Sequence, residues 1–336
     1  MTIEPVTEAL LPIAIGDIEA AAKRLDGEAI RTPLLASATL DEKVGARVLV
    51  KAECLQRTGS FKFRGAFNRL SLIPADVRAN GVVACSSGNH AQGVAEAARL
   101  FGVPATIVMP HDAPAIKRAR TERSGAKVVV YDRETDDREA IAAAISERTG
   151  ATFVHPYDDP GVMAGQGTIG LEIAADLAAM GLAADRVLVP VSGGGLIAGV
   201  AVAMAAKMPH AICQPVEPAG FDDLSRSLVA GVRVTNERRG GSIADALLAA
   251  TPGRNTFEVH MRHVASGVGV ADEALPKAMA FAMNELKIVT EPGGVIALAA
   301  LLEGLFTVKG ETVVVVASGG NADPDLIAEA ITTYRG

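Results

Sequence analysis

The sequence predicts an α/β protein with two open, mostly parallel, twisted sheets flanked by helices. Short apolar runs of strand length alternate with segments of helix length, which is the pattern of a parallel sheet. This alternation stops and restarts near the middle of the chain, which indicates two sheets. Hydrophobic residues make up 49% of the chain and aromatic residues only 4%, and such a composition, rich in Ala, Val and Gly, suits strands buried on both faces.

The first half of the chain contains the strand–helix units of a small domain. Acidic residues precede basic ones in a predicted helix at 17–24, and a strand is predicted at 46–52. Three strand–helix units then follow, and we assign residues 75–153 to the small domain. Their strands are predicted at 81–85, 105–110 and 127–131, and their helices at 91–101, 116–124 and 138–148.

The alternation restarts after the small domain, and we assign residues 1–74 and 154–336 to a second, larger domain. A chain of 336 residues is long enough for two such domains. The segment 224–264 shows few periodic signals, so little is predicted there. Elsewhere, strands are predicted at 186–191, 212–217 and 311–316, and helices at 196–207, 271–286 and 294–305.

Charge and composition exclude several classes of partner and location. The net charge of −7 gives no general attraction to nucleic acid or to an anionic membrane. Cys54, Cys85 and Cys213 match no metal-binding spacing, and a low, odd number of cysteines fits a reducing compartment. Residues 1–16 lack the basic start of a signal peptide, and the longest apolar run, 196–206, is too short to span a bilayer. We therefore expect a cytoplasmic protein.

Three of the predicted strands end in turns rich in Gly, Ser and Asn, at 86–89, 192–195 and 318–321. Open α/β sheets bind ligands at the carboxyl ends of their strands. A helix that begins after such a turn directs unpaired backbone N–H groups at the ligand. The three turns are therefore predicted to surround a ligand site.

The turn at 192–195, with the sequence SGGG, is a predicted phosphate site, because consecutive glycines let the backbone approach an anion. No Gly-Lys-Ser follows, so it is not a nucleotide-triphosphate loop, and its spacing differs from the dinucleotide fingerprint. A turn that needs glycine only for packing is the alternative. At 86–90, two hydroxyls, an amide and an imidazole could hold a carboxylate, with a simple helix N-cap as the alternative.

Lys62 lies between Phe61 and Phe63 in a chain that has only nine phenylalanines. Apolar neighbours disfavour the charged form of an amine and make it nucleophilic, as a Schiff-base lysine requires. The alternative is a surface lysine whose stem packs on Phe while its head is in solvent. A reactive lysine, a phosphate site and a carboxylate site together are what a phosphorylated aldehyde cofactor that acts on amino acids needs.

The sequence resembles the pyridoxal-phosphate-dependent serine/threonine dehydratases and serine racemases of the tryptophan-synthase β-like fold, fold type II. The likeness covers nearly the whole chain, and its motifs occur in the order of that family. They are SFKFRGA at 60–66, SSGNHAQG at 86–93, HPYDDP at 155–160, AGQGT at 164–168, SGGGL at 192–196, EPGG at 291–294 and SGGN at 318–321. The resemblance also implies a homodimer.

The resemblance implies that Lys62 forms the Schiff base with pyridoxal 5'-phosphate and then takes the Cα proton of the substrate. Asn89 would hydrogen-bond the phenolic oxygen of the cofactor. Ser318 would meet the pyridine nitrogen, where a neutral hydroxyl favours β-elimination over transamination. The other implied cofactor-binding residues are Phe61, Gly193, Gly194, Gly195, Leu196 and Glu291.

The substrate implied by the resemblance is a β-hydroxy amino acid such as L-threonine or L-serine, which loses water to give a 2-oxo acid and ammonia. Ser86, Ser87 and His90 would hold the substrate carboxylate, and Arg138 would assist. Ser87 also matches the opposite-face acid/base of racemases, and Tyr157 matches many threonine dehydratases.

A divalent cation is a further implication of the resemblance. Glu217, Asp223 and the carbonyl of Phe221 match the cation position of the family, and oxygen ligands favour Mg²⁺ or Ca²⁺. Two carboxylates that are simply solvated in a polar loop are the alternative.

Other functions stay open at this point. One is a serine racemase, and another is a dehydratase for 3-hydroxyaspartate, phenylserine or a hydroxyectoine-derived intermediate. A protein that only binds a phosphate metabolite is the alternative outside enzymes, but binding alone would not require the whole set of residues from Lys62 to Ser318.

Overall fold

Two sheets form the framework of the protein. The structure is a computed structural model that describes residues 11–113, 115–132, 134–238 and 240–334, so most of the N-terminal stretch 1–16 lies outside the described residues. The strands are β1 (Leu34–Ala36), β2 (Arg47–Lys51), β3 (Val82–Cys85), β4 (Ala105–Pro110), β5 (Lys127–Tyr131), β6 (Thr152–Phe153), β7 (Arg186–Pro190), β8 (Ile212–Pro218), β9 (Val268–Val270) and β10 (Thr312–Val316).

The strands are almost all parallel. The larger sheet has the order β1-β2-β10-β7-β8-β9, and only β1 runs antiparallel to its neighbour. The smaller sheet has the order β5-β4-β3-β6 and is parallel throughout. The predicted fold of two open, mostly parallel sheets flanked by helices is therefore confirmed.

Helices cover both sheets and connect their strands. They are α1 (Ile15–Leu25), α2 (Ala38–Val44), α3 (Lys62–Ser71), α4 (Ala75–Arg78), α5 (Asn89–Phe101), α6 (Ala115–Arg123), α7 (Arg138–Thr149), α8 (Pro160–Ala179), α9 (Gly195–Lys207), α10 (Asp223–Ala230), α11 (Arg254–His263), α12 (Ala274–Phe281), α13 (Pro292–Leu302) and α14 (Pro324–Thr333). Short 3₁₀ turns lie at Glu53–Leu55, Arg57–Gly59 and Asp245–Leu247, and a π turn lies at Ala282–Leu286.

The structure departs from the predicted elements in several places, and β1, α2, α3 and α14 are among the elements that were not predicted. Helix α8 was not predicted, because its residues from 161 to 170 are all buried and therefore show no one-sided apolar pattern. The helix predicted at 271–286 is divided into α12 and the π turn that follows it. The segment 224–264, which showed few signals, contains α10 and α11.

Three buried helices cross at backbone contact because glycine occupies the crossing points. A Cβ atom on Gly165 of α8 would lie 2.6 Å from the carbonyl oxygen of Arg64 in α3. A Cβ atom on Gly199 of α9 would lie 2.2 Å from the carbonyl oxygen of Met163 in α8. Side chains at these points would force the helices apart. The close crossings therefore fix the first residues of α3 and α9, Lys62 and Gly195, relative to each other.

The described helices were compared with the length and hydropathy of a membrane-spanning helix. Within the ranges that the structure covers, no helix combines the length and the apolar character that crossing a membrane requires.

Candidate active site

Lys62 is the first residue of α3, and its amine lies near groups of both sheets. The Nζ atom donates a hydrogen bond of 2.8 Å to the carbonyl oxygen of Pro156 and lies 5.1 Å from the centre of the Phe61 ring. Burial lowers the pKa of Lys62 to about 8, although the negative charge of Glu291 acts in the opposite direction. The amine is therefore deprotonated far more readily than a solvated lysine.

Ser318, in the turn after β10, lies beside the start of α3, where backbone hydrogen bonds hold the two segments together. The N–H of Phe61 donates to the carbonyl oxygen of Ser318 over 3.1 Å, and that of Gly320 donates to Gly59 over 2.9 Å, which makes a short antiparallel bridge. The N–H of Ser318 donates to Gly294 in α13. Unlike the other two turns, this one is not followed directly by a helix, and α14 begins only at Pro324.

The glycine turn after β7 has the features of a phosphate cradle. Among the described residues, none accepts a hydrogen bond from the backbone N–H groups of residues 193–196, which precede and begin α9. The turn is also closely lined, since a Cβ atom on Gly193 would lie 2.4 Å from the ring of Tyr157. Gly194 has a φ of +92°, which disfavours any other residue. Unpaired N–H groups at a helix start form a ready site for an anion.

The turn after β3 presents a second set of donors. In the described part of the chain, the backbone N–H groups of Ser87, Asn89 and His90 make no hydrogen bond, while that of Gly88 donates to the hydroxyl of Ser86. The His90 imidazole is buried and donates from Nε2 to the carbonyl oxygen of Val154. Burial and the nearby Lys62 lower the pKa of His90 to about 3, so the ring is neutral and its one N–H is already used. Residue 90 can therefore offer a carboxylate its backbone N–H.

Asn89 joins the two sheets through a chain of hydrogen bonds. Its Nδ2 donates to Oε1 of Glu291 over 2.5 Å, and its Oδ1 accepts from Nδ2 of Asn321 over 2.8 Å. Arg120 of α6 in turn donates to Oδ1 of Asn321 over 3.0 Å. Glu291 is buried at the start of α13 and is close enough to Lys62 to affect its pKa. Asn321 and Arg120 were not predicted as site residues.

Tyr157 and Arg138 are the remaining residues implied for the substrate. The ring of Tyr157 packs edge-on against His155, with 4.7 Å between the ring centres, and covers Gly193. Burial and the neighbouring Asp158 raise the pKa of Tyr157. Arg138 is exposed at the first turn of α7, and its charge reaches the phenol of Tyr157.

A buried group of four charged residues anchors the helix that begins with Lys62. Arg64, two residues further on, makes paired hydrogen bonds of 2.8 and 2.9 Å with Glu53 and of 2.7 and 2.9 Å with Glu172 of α8. Lys51 at the end of β2 donates to Glu172 over 2.6 Å and to the carbonyl of Thr32 over 2.6 Å. The two cations and two carboxylates neutralise one another, so the cluster is stable only as a complete set.

Glu217 and Asp223, predicted as cation ligands, lie in a buried pocket at the end of β8. Glu217 accepts hydrogen bonds of 2.9 Å from the N–H groups of Leu224 and Ser225, as a cap of α10. Asp223 accepts from Asn236 through Oδ1, while its Oδ2 is buried without a partner. Burial raises the pKa of Glu217 to about 8 and that of Asp223 to about 7.

The amide of Asn236 and the hydroxyl of Ser225 lie beside this pair of carboxyl groups. The described residues contain no group of three or more His, Cys, Asp and Glu side chains placed to hold a metal ion. Phe221 is buried in the same loop, where its carbonyl is the predicted third ligand.

Comparison with known proteins identifies the family. A model of the family described as pyridoxal-phosphate dependent enzyme matches residues 25–319. The chain belongs to this family. It is 44% identical to an L-threo-3-hydroxyaspartate ammonia-lyase of Pseudomonas sp, over 94% of this chain and 97% of that one. It is 42% identical to an L-threonine ammonia-lyase of Thermotoga maritima, over 95% of this chain and 78% of the relative.

A solved structure agrees with this family assignment. Maize serine racemase superposes on the structure with a TM-score of 0.89 and 35% identity, over 96% of this chain and 98% of that chain. The resemblance seen in the motifs is therefore confirmed, and the protein is a pyridoxal-phosphate-dependent enzyme of fold type II.

The residues at the site fit pyridoxal phosphate. An amine with a pKa of about 8 suits an aldehyde, and Lys62 supplies it. The unpaired N–H groups of residues 193–196 suit the phosphate. The predicted cofactor residues, together with Ser86, Ser87 and His90, come from five separate segments of the chain, at 61–62, 86–90, 193–196, 291 and 318. Hydrogen bonds join Phe61 to Ser318 and Asn89 to Glu291, and the Lys62 amine interacts electrostatically with Glu291 and His90.

Proposed function

We propose that this enzyme is a dehydratase, or ammonia-lyase, that converts a β-hydroxy amino acid such as L-threonine or L-serine to a 2-oxo acid and ammonia. The observation that carries the proposal is the surroundings of the Lys62 amine, which donates to the carbonyl of Pro156, next to the Tyr157 that covers Gly193, and whose charge acts on His90. Both turns, at 86–90 and at 193–196, have unpaired backbone N–H groups. The first suits a carboxylate and the second a phosphate. The names of the two similar ammonia-lyases support this reaction.

In this proposal each residue has a defined task. The bound cofactor supplies an electron sink for the electron pair left at Cα when a proton is removed. Lys62 takes that proton, since a pKa of about 8 leaves a useful fraction of the amine neutral near neutral pH. The hydroxide then leaves Cβ, and uptake of water by the unsaturated product gives the 2-oxo acid and ammonia.

The surrounding residues would orient the reacting groups. Ser86, Ser87 and the backbone N–H of His90 would hold the substrate carboxylate, with Arg138 at the exposed side. Asn89 and Glu291 would meet one edge of the cofactor ring, and the hydroxyl of Ser318 would meet its nitrogen. The ring of Tyr157 would shield the phosphate turn at Gly193 from solvent. Because the carboxylate donors belong to the predicted small domain 75–153, we infer that this unit closes on the substrate.

The test is release of 2-oxo acid by the purified enzyme loaded with pyridoxal phosphate. L-Threonine, L-serine, L-threo-3-hydroxyaspartate and phenylserine are compared by kcat/KM, with Lys62→Ala as the inactive control. The wild type should be yellow and should release a 2-oxo acid from at least one of these substrates. A yellow, folded wild type that releases none would contradict the proposal.

A 3-hydroxyaspartate dehydratase is the second candidate, because a relative with that name is 44% identical over nearly the whole chain. A higher kcat/KM for L-threo-3-hydroxyaspartate than for threonine would favour it. Ser87→Ala distinguishes racemase activity from elimination. Loss of the opposite-face acid/base should abolish formation of D-serine, whereas elimination from L-serine should only be weakened, because Ser86 and the N–H of His90 still hold the carboxylate.

We also propose that Mg²⁺ or Ca²⁺ binds beside Asp223. The buried Oδ2 without a partner, the nearby Glu217 and the Phe221 carbonyl support this proposal. Calorimetric titration of chelator-treated enzyme with either ion should show binding that Asp223→Asn removes. No heat of binding to the wild type would contradict it.

A cytoplasmic homodimer completes the proposal. The net charge of −7, the three free cysteines and the absence of a membrane-spanning helix among the described residues support a location in the cytoplasm. Light scattering of the loaded enzyme should give twice the mass of one chain, and a monomer would contradict the homodimer.

A further inference from the structure

Side chains of helix α11 hydrogen-bond the carbonyl oxygens of Gly193 and Gly194 in the glycine turn. The oxygen of Gly193 accepts hydrogen bonds from the hydroxyl of Thr256 over 2.9 Å and from the N–H of Gly253 over 3.2 Å. The oxygen of Gly194 accepts from Nε2 of His260 over 2.9 Å and from the N–H of Ala198 over 3.0 Å. Helix α11 and its N-cap therefore supply three of these four donors.

Thr256 and His260 are placed on α11 so that both reach the turn. They are one helical turn apart and so lie on the same face, and both are completely buried. A carbonyl oxygen can only accept, so Nε2 of His260 carries the proton and Nδ1 is a bare lone pair. Nδ1 is buried without a partner, and burial lowers the pKa of His260 to about 4. The imidazole is therefore a neutral donor at physiological pH.

Helix α11 is itself held at its first turn. The carboxylate of Asp158 accepts from the N–H groups of Arg254 and Thr256 over 3.0 and 3.1 Å, which satisfies two unpaired donors of the helix. Contact between α11 and the turn is close, since a Cβ atom on Gly194 would lie 2.1 Å from Cε1 of His260. The helix therefore cannot shift without moving the turn.

The trans peptide bond connects these contacts to the phosphate site. In a trans peptide the C=O and the following N–H share a plane and point in opposite directions. Holding the oxygen of Gly193 therefore aims the N–H of Gly194 away from α11, and holding that of Gly194 aims the N–H of Gly195. A glycine turn rotates its peptide planes more easily than other sequences, and a rotated plane would present a carbonyl oxygen to the anion.

We propose that Thr256 and His260 are positioning residues for the cofactor phosphate, which preorganise the N–H groups of Gly194 and Gly195 by holding the carbonyl oxygens on the other side of the same peptides. This inference rests on the proposed role of the glycine turn as the phosphate site. Preorganised donors bind an anion more tightly because the binding free energy is not spent on ordering the turn.

The test compares the affinity of the apoenzyme for pyridoxal phosphate with its affinity for pyridoxal, which lacks the phosphate. Thr256→Val removes the hydroxyl at nearly constant volume, and Thr256→Ser is the matched control that keeps it. We expect Thr256→Val to weaken pyridoxal phosphate binding about tenfold, as loss of one hydrogen bond that orders an anion site would do. Pyridoxal binding should change less than twofold, and Thr256→Ser should bind both compounds nearly as the wild type does.

His260→Leu gives a second, independent variant, whose melting temperature and circular dichroism show whether it has folded. A folded variant should lose affinity for pyridoxal phosphate alone. Equal weakening of pyridoxal and pyridoxal phosphate, or unchanged affinity in Thr256→Val, would overturn the inference.

Gly194→Ala separates this inference from the function on which it rests. If folded Gly194→Ala binds pyridoxal phosphate weakly while Thr256→Val and folded His260→Leu both bind it normally, the turn is the phosphate site and only the positioning role is wrong. If folded Gly194→Ala binds pyridoxal phosphate as the wild type does, the phosphate site itself has been misassigned.

Discussion

Single residues of the site differ from their solvated counterparts chiefly through burial. Burial lowers the pKa values of Lys62 and His90, to about 8 and about 3, and raises that of Glu217 to about 8. In each case the shift favours the neutral form of the side chain. A neutral amine can act as nucleophile and base, and a neutral imidazole keeps a single fixed tautomer.

The reactivity of Lys62 toward an aldehyde should therefore rise at a lower pH than that of a solvated lysine. Only the neutral amine attacks an aldehyde, so the rate at which apoenzyme captures pyridoxal phosphate should be half-maximal near pH 8. Stopped-flow absorbance measures this rate, and N-acetyl-lysine amide measured in parallel corrects for titration of the aldehyde itself. A half-maximal pH above about 10, the value of a solvated lysine, would contradict the effect of burial.

The buried pair Glu217 and Asp223 should make the cation-free enzyme less stable as the pH rises. The folded chain keeps the two protons up to pH values of about 8 and about 7, whereas the unfolded chain releases them near pH 4. The pair therefore stabilises the fold at low pH, and this contribution is lost as the pH rises toward 8.

Melting temperatures in chelator at pH 6, 7.5 and 9 measure this loss. Glu217→Gln removes one of the two titrations and is the matched variant, so the wild type should lose stability relative to it as the pH rises. Mg²⁺ or Ca²⁺ should restore the wild type at pH 9. A difference between the two proteins that is constant with pH would show that Glu217 does not titrate in this range.

At the scale of elements, the position of Lys62 depends on how α3 is attached to its neighbours. Arg64 ties the first turn of α3 to Glu53 and to Glu172 of α8, and all of its partners are charged or polar. Glycines at the crossing of α3 with α8 bring the two backbones together. Lys62 therefore starts a helix whose position is set by packing and charge together.

Replacing Arg64 should be costly because it leaves two carboxylates without their main partner in the interior. Arg64→Met should lower the free energy of unfolding by about 3–5 kcal/mol. Arg69→Met on the same helix breaks the more exposed pair with Asp159 and should cost about 1 kcal/mol or less. Urea unfolding of the apoenzymes measures both values. Equal losses in the free energy of unfolding would show that the buried cluster stabilises the fold no more than the exposed ion pair does.

At the scale of the whole molecule, the active site is made by the meeting of two sheets. The small sheet supplies the turn at 86–90, the large sheet supplies the glycine turn and Ser318, and Asn89 links them through Glu291 and Asn321. Arg120 extends this link to α6. A substrate bound by both units should therefore reduce their relative motion.

Hydrogen exchange of the loaded enzyme tests this coupling. L-Alanine, which has no β-hydroxyl to eliminate, should slow amide exchange in the turn at 86–90 and in α6. The Asn321→Ala variant should lose the protection of α6 while keeping that of the turn, because Arg120 then has no amide to bind. Unchanged exchange in both segments of the wild type would contradict closure of the small unit.

Much of the fold was predictable because its signals are local. The apolar runs at 105–110 and 311–316 match β4 and β10, since a strand buried on both faces is apolar throughout. Helix α8 lacked such a signal, because burial on nearly all sides removes the 3.6-residue pattern. Helix α11 was missed because polar Thr256 and His260 share its buried face with Phe257 and Val259, which obscures the apolar pattern.

The sequence by itself determined which residues have the right chemistry: an amine flanked by Phe, a glycine turn after an apolar strand, and the motifs of the family. Only the tertiary structure decided that Asn89 hydrogen-bonds Glu291, 202 positions away. The same holds for the hydrogen bonds from Thr256 and His260 to carbonyl oxygens of the glycine turn. The physical reason is the separation along the chain of the residues that interact. Turn and strand preferences depend on neighbours in the chain, whereas these pairs join distant segments that meet only when the sheets and helices pack together.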